Sequence, residues 1–138
     1  MGAADDVREH IREAASAVLP EYDVVAAYLY GSFARGDANA DSDVDVALYF
    51  ADYDIRKLLE VGRRLREAAG IDRELDVRAL NRGTPRFRFT VIQEGSVIYE
   101  SDRTRRADVE ERIEREYRDT RPLVHDHWAT RREVVAGG

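Results

Sequence analysis

The chain has 138 residues, 43% of them hydrophobic, with 28 acidic against 22 basic residues and a formal net charge of −6. This length suits one domain with a real core, and the acidic balance argues against general nucleic-acid binding through a basic surface. With no cysteine, disulfides and cysteine-based zinc sites are excluded and a reducing cytoplasm is the expected setting.

No apolar run approaches the ~20 residues that span a bilayer, and Met1–Asp6 lacks the basic and apolar regions of a secretory signal. Residues 5–19 predict a helix with Val7, Ile11, Ala14, Ala15 and Val18 on one face, closed by Pro20. Val24–Tyr30 is a continuous apolar run of strand length, the pattern of a strand buried on both faces. It stops at Gly31-Ser32, where a short helix is expected with Ser32 as its cap. From Gly36 to Ser42 the chain reads as a loop. Val44, Val46 and Leu48 then alternate with Asp43, Asp45 and Ala47, which predicts a second strand with its carboxylates on one face.

Ile55 to Ala69 carries helical spacing and ends at Gly70. Leu75–Leu80 predicts a third strand with Asp76 near its start, Arg86–Glu94 a short helix after Pro85, and Ser96–Glu100 a last short strand. From Asp102 a charged helix is expected, with Val109, Ile113 and Tyr117 along one face and a break or kink at Pro122. Tyr117 and Trp128 read as helix-packing residues, His125 and His127 as polar-face residues, and the last five residues as a frayed end. Strands alternating with helices give an α+β (α/β-like) domain of about four strands. Residues 1–100 form its core and 101–138 a helical C-terminal tail that offers partner contacts.

Three features carry chemistry. After a buried strand, the Gly31-Ser32 turn lets backbone approach a ligand closely, and the N–H groups opening the next helix attract an anion. Asp43 and Asp45 sit two apart, and close carboxylates repel unless a cation lies between them. Mg²⁺ favours a few carboxylates together with phosphate oxygens and water. Asp76 joins this set if its strand pairs beside the Asp-x-Asp strand, as a metal ligand or as the base for an attacking hydroxyl. Two rival motifs fail. Asp41-x-Asp43-x-Asp45 resembles the start of a calcium loop, but Val46 replaces the sixth-position glycine and Asp52 the twelfth-position glutamate. No Gly-Lys-Ser/Thr sequence is present for a Walker-type loop.

Gly31-Ser32-x-Ala34-Arg35-Gly36 followed by Ser42-Asp43-x-Asp45 resembles the signature of the DNA polymerase β-like nucleotidyltransferases. The small size and the preserved Gly-Ser-x-Ala-Arg-Gly form resemble in particular the minimal nucleotidyltransferases (MNT), antitoxin partners of HEPN toxins. The likeness runs from about Tyr22 to Glu100 and includes Gln93-Glu94-Gly95-x-x-Ile98-Tyr99-Glu100. It implies a small mixed sheet with packed helices and an ATP site using Mg²⁺, expected as two ions. Gly31 and Ser32 would hold the nucleotide phosphates with Arg35 near them. Asp43, Asp45 and Asp76 would be the catalytic and metal-binding carboxylates. The implied reaction moves AMP from ATP to a tyrosine of a cognate HEPN toxin, as in a type VII toxin–antitoxin pair. The chain has no Arg-x4-His motif of its own, so the toxin would be a separate protein. Two other readings stand beside this one: a non-catalytic antitoxin acting by steric binding, and a small-molecule nucleotidyltransferase.

Overall fold

A computed structural model describes residues 3–39 and 41–134, with side chains described for residues 6–39 and 41–120. The elements follow in the order α1 (Ala3–Val18), β1 (Val24–Tyr30), α2 (Ser32–Arg35), β2 (Val44–Phe50), α3 (Ile55–Ala69), β3 (Leu75–Ala79), α4 (Pro85–Glu94), β4 (Ser96–Glu100) and α5 (Arg103–Val134). Short 3-10 turns at Leu19–Glu21 and Leu80–Arg82 follow α1 and β3.

The four strands form one mixed sheet in the order β3-β2-β1-β4. β1 is antiparallel to both β2 and β4, and β2 is parallel to β3. Central position explains the unbroken apolar run of β1, whose residues from Val24 to Leu29 are all buried. On one face, Val7, Ile11 and Ala15 of α1 and Val61 and Leu65 of α3 pack against Leu29, Val46 and Leu48. On the other, Val91 of α4 and Val109 and Ile113 of α5 cover Val25, Tyr28 and Ala47. The sheet is therefore sandwiched between two helical layers, the α+β arrangement expected.

Local chemistry sets the ends of these elements. The Asp54 carboxylate accepts from the amide of Arg56 at 2.8 Å to cap α3, and Gly70 closes that helix in the left-handed region. Thr84 caps α4, its hydroxyl accepting from the Phe87 amide at 3.1 Å, with Pro85 in the first turn.

Three expectations need correction. Ser32 is not the cap of α2: Gly31 takes that place and Ser32 is the first helical residue. Asp43 lies just before β2 rather than within it. α5 is not broken at Pro122 but continues to Val134. Proline removes one amide donor and crowds the carbonyl four residues back. His125, His127 and Trp128 lie outside the described side chains, and residues 135–138 outside the described residues.

Candidate active site

The site lies where β1 ends and β2 and β3 begin. Tyr30 pairs with Asp45 across the antiparallel β1–β2 ladder, and Asp45 pairs with Asp76 across the parallel β2–β3 ladder. Paired positions on neighbouring strands share a face, so Tyr30, Asp45 and Asp76 stand side by side. The same register places Tyr28, Ala47 and Arg78 one step further along that face. Ala47 is small and sealed by the helical layer, while the acidic end of the face is left more open: Asp45 and Asp76 are part-exposed and Asp43 is exposed.

Gly31 is pressed against this group. Its φ of 75° and ψ of −150° suit glycine almost alone, and a Cβ there would collide with the Asp45 carboxylate. The positive φ and the close approach have one cause: the chain must turn sharply off β1 directly over Asp45. The turn is held from below. The Phe33 side chain is fully buried in the core, the Arg8 guanidinium donates to the Phe33 carbonyl, and the Arg73 guanidinium lies 5.1 Å from the Phe33 ring centroid. Arg73 also donates to the carbonyls of Asn39 at 3.0 Å and Ser42 at 3.1 Å. It thereby ties the loop that carries Asp43 to the turn that carries Ser32. Since α2 is only four residues long, its dipole contributes little to anion binding, and the pull on a phosphate falls to the Gly31 backbone and the Ser32 hydroxyl.

Charge is unevenly balanced here. Burial pushes the Asp45 carboxyl above its ordinary value, and the negative neighbours Asp76 and Asp43 add to the rise, while Arg78 and Arg35 oppose it. Arg78 pairs with Asp76 at 2.9 Å, and that contact, together with Tyr30 and Asp45, holds its guanidinium more firmly protonated. Arg35 is exposed and pairs with Asp37 at 3.3 Å. The Tyr30 hydroxyl is buried without a hydrogen-bond partner. Burial chiefly pushes it up to about 12, with Asp45 and Asp76 contributing and Arg78 opposing. Its ring meets Phe87 edge-on, centroids 5.6 Å apart.

Among the described residues no three acidic, histidine or cysteine side chains converge into a ready metal cage. This arrangement still fits Mg²⁺, which usually takes one or two carboxylates and completes its shell with substrate phosphates and water. Asp45, crowded by Asp76 and Asp43, is the side chain whose charge a cation would relieve. The structure thus brings Gly31, Ser32, Asp43, Asp45 and Asp76 to one end of the sheet and leaves Arg35 on its outer rim. Sequence reasoning missed Arg78, Tyr30 and Arg73. Only Arg78 had a usable signal, a cation two residues after Asp76 on the same strand face.

Comparison with known proteins agrees with this picture. The family model described as Polymerase beta, Nucleotidyltransferase matches residues 13–104. Among solved structures, a toxin–antitoxin complex with AMP-PNP aligns with a TM-score of 0.58 at 20% identity, covering 94% of each chain. A Shewanella oneidensis complex of a tri-AMPylated HEPN toxin with its MNT antitoxin aligns with a TM-score of 0.58 at 17% identity, covering 94% of this chain and 95% of the other. A structure described as a minimal nucleotidyltransferase aligns with a TM-score of 0.53 at 27% identity, covering 62% of this chain and 86% of the other. No curated protein sequence is similar enough to count as a match. The family model spans well over half of the chain, and its matched stretch holds both the Gly31 turn and the Asp43, Asp45 and Asp76 carboxylates: the chain belongs to the polymerase β nucleotidyltransferase family.

Proposed function

We propose that this protein is a magnesium-dependent adenylyltransferase that moves AMP from ATP to a tyrosine hydroxyl of a partner HEPN toxin and so neutralises it. The observation that carries the reading is the register of Asp45 with Asp76, directly beside the Gly31 turn. The Gly31 backbone and the Ser32 hydroxyl hold the β- and γ-phosphates, with Arg35 nearby to pair with them. Asp43 and Asp45, with Asp76, would hold the metal, which would offset the charge of the triphosphate.

The tyrosine oxygen attacks the α-phosphorus, forming a new O–P bond as the bond to the β-phosphate oxygen breaks. Pyrophosphate leaves with that electron pair. The hydroxyl proton passes to a carboxylate at the site, and Asp76 stands nearest the open edge of the sheet. Arg78, bonded to Asp76 at 2.9 Å, keeps a positive charge beside that carboxylate. The neighbouring structures support the reading through what they contain, an ATP analogue in one and an AMPylated toxin in another.

The test is to incubate the protein with ATP, Mg²⁺ and a candidate HEPN partner, sought in the adjacent reading frame, then to weigh that partner. A gain of one or more AMP masses, absent with Asp43→Ala/Asp45→Ala, is expected. Full neutralisation by that double variant without any mass change would instead establish the steric reading. Asp76→Ala is expected to lose transfer with only a modest loss of stability.

A further inference from the structure

At the open edge of β3 lies a groove of about 460 Å³ that neither the motif nor the acid cluster accounts for. Its walls are apolar, from Tyr53, Leu58, Val77, Ala79 and Phe87. Among the described residues its only charged lining residues are Arg78 and Arg82, which makes it cationic on a chain of net charge −6. Arg82 is exposed, rests over the Tyr53 ring at 6.0 Å, and has no ion pair among the described residues. Two residues join the groove to the site. Arg78 lines it and bonds Asp76; Phe87 lines it and packs on Tyr30.

The order of elements across the sheet says which reactant belongs there. From one side to the other it runs Gly31 turn, Asp45 on β2, Asp76 on β3, then the groove. In-line displacement puts the attacking and leaving oxygens on opposite sides of phosphorus. With pyrophosphate leaving over the Gly31-Ser32 turn, the attacking hydroxyl must arrive past Asp76, from the side of the groove.

We propose that this groove is the acceptor subsite, seating the aromatic ring of the acceptor tyrosine while Arg82 pairs with an acidic residue flanking it in the partner. The inference rests on the adenylyltransferase reading. The ring meets Phe87 and Leu58, its hydroxyl reaches toward Asp76, and the guanidinium at the rim selects acidic neighbours. Selection by charge is pointed here, because the protein as a whole repels acidic segments.

The experiment measures binding of two synthetic pentapeptides to the full chain by fluorescence anisotropy, Glu-Glu-Tyr-Glu-Glu and Lys-Lys-Tyr-Lys-Lys, each blocked at both ends and labelled. The acidic peptide is expected to bind more tightly, to lose about ten-fold in affinity with Arg82→Glu, and to lose less with Arg82→Gln. Saturating ATP with Mg²⁺ is expected to leave it bound. Absence of measurable binding, equal binding by the Arg82→Glu protein, or preference for the lysine peptide overturns the proposal. Displacement of the peptide by ATP also overturns it, and assigns the groove to the nucleotide base. Because binding is read without catalysis, a peptide that binds as expected but gains no AMP mass counts against the transfer reaction and not against the groove.

Discussion

Gly31 shows how one residue can serve fold and site at once. Its backbone conformation and its contact with Asp45 both exclude a side chain, so Gly31→Ala is expected to destabilise the protein by about 1–3 kcal/mol and to abolish transfer, as read by urea unfolding and by AMP incorporation. Asp45 predicts the opposite pairing of effects. Its folded-state carboxyl lies above the ordinary value of 3.8, so the folded protein holds that proton more tightly than the unfolded chain does. Stability from this group is therefore present at low pH and declines as pH rises from about 3.8 through the folded value. Asp45→Asn is expected to remove that decline and raise the melting temperature at neutral pH while eliminating transfer, which a melting series of the two proteins across pH checks. Mg²⁺ with ATP is expected to raise the melting temperature of the wild type alone. At this scale the placing of Gly31, Ser32, Asp43 and Asp45 near one another was legible from the spacing of the Gly-Ser turn and the Asp-x-Asp pair taken together, since each alone is an ordinary turn or acidic-strand signal. Tyr30 and Arg73 were not, since an orphaned hydroxyl and a guanidinium bridging two loops exist only once distant segments meet.

Elements are held to one another by a few polar contacts inside apolar layers. α5 docks on the sheet through Val109 and Ile113, and through the Tyr28 hydroxyl, which donates to Glu110 Oε2 at 2.6 Å. Arg106 completes the set with Glu100 and Glu110, each at 2.6 Å. Glu110→Ala leaves the Tyr28 hydroxyl buried without an acceptor and is expected to destabilise by about 1–3 kcal/mol, with Tyr28→Phe in the same protein recovering part of the loss. Tyr30→Phe is the contrasting case: its hydroxyl has no partner to lose, so thermal unfolding is expected to show unchanged or higher stability. α3 was readable from its 3.6-residue period and β1 from its unbroken apolar run, which is why both fall where the apolar pattern puts them. Asn81 was not readable. Its side chain accepts from the Phe50 amide at 2.8 Å and donates to the Phe50 carbonyl at 2.9 Å, imitating a strand with a side chain. Pro122 misled because propensity weighs a single residue, while α5 runs on past it to Val134.

Across the whole molecule, the two faces of the sheet have divided roles. One carries the α1–α3 core and fixes the turn through Phe33. The other carries α4 and α5 over most of its length and leaves Asp45 and Asp76 open at the end. No helix among the described residues is long and apolar enough to cross a membrane. The alternation of strands and helices signalled the α+β class. The strand order did not follow from it, and that order is what sets Asp76 beside Asp45 and the cationic groove beyond it. The central claim is that this end of the sheet transfers the α-phosphoryl group of ATP, as AMP, to a protein hydroxyl. The most direct measurement incubates the protein and a candidate HEPN partner with ATP labelled at either the α- or the γ-phosphate in the presence of Mg²⁺. Label from the α-position alone is predicted to enter the partner, and none with Asp43→Ala/Asp45→Ala. Incorporation from the γ-position, or α-label that persists in the double variant, would contradict the account.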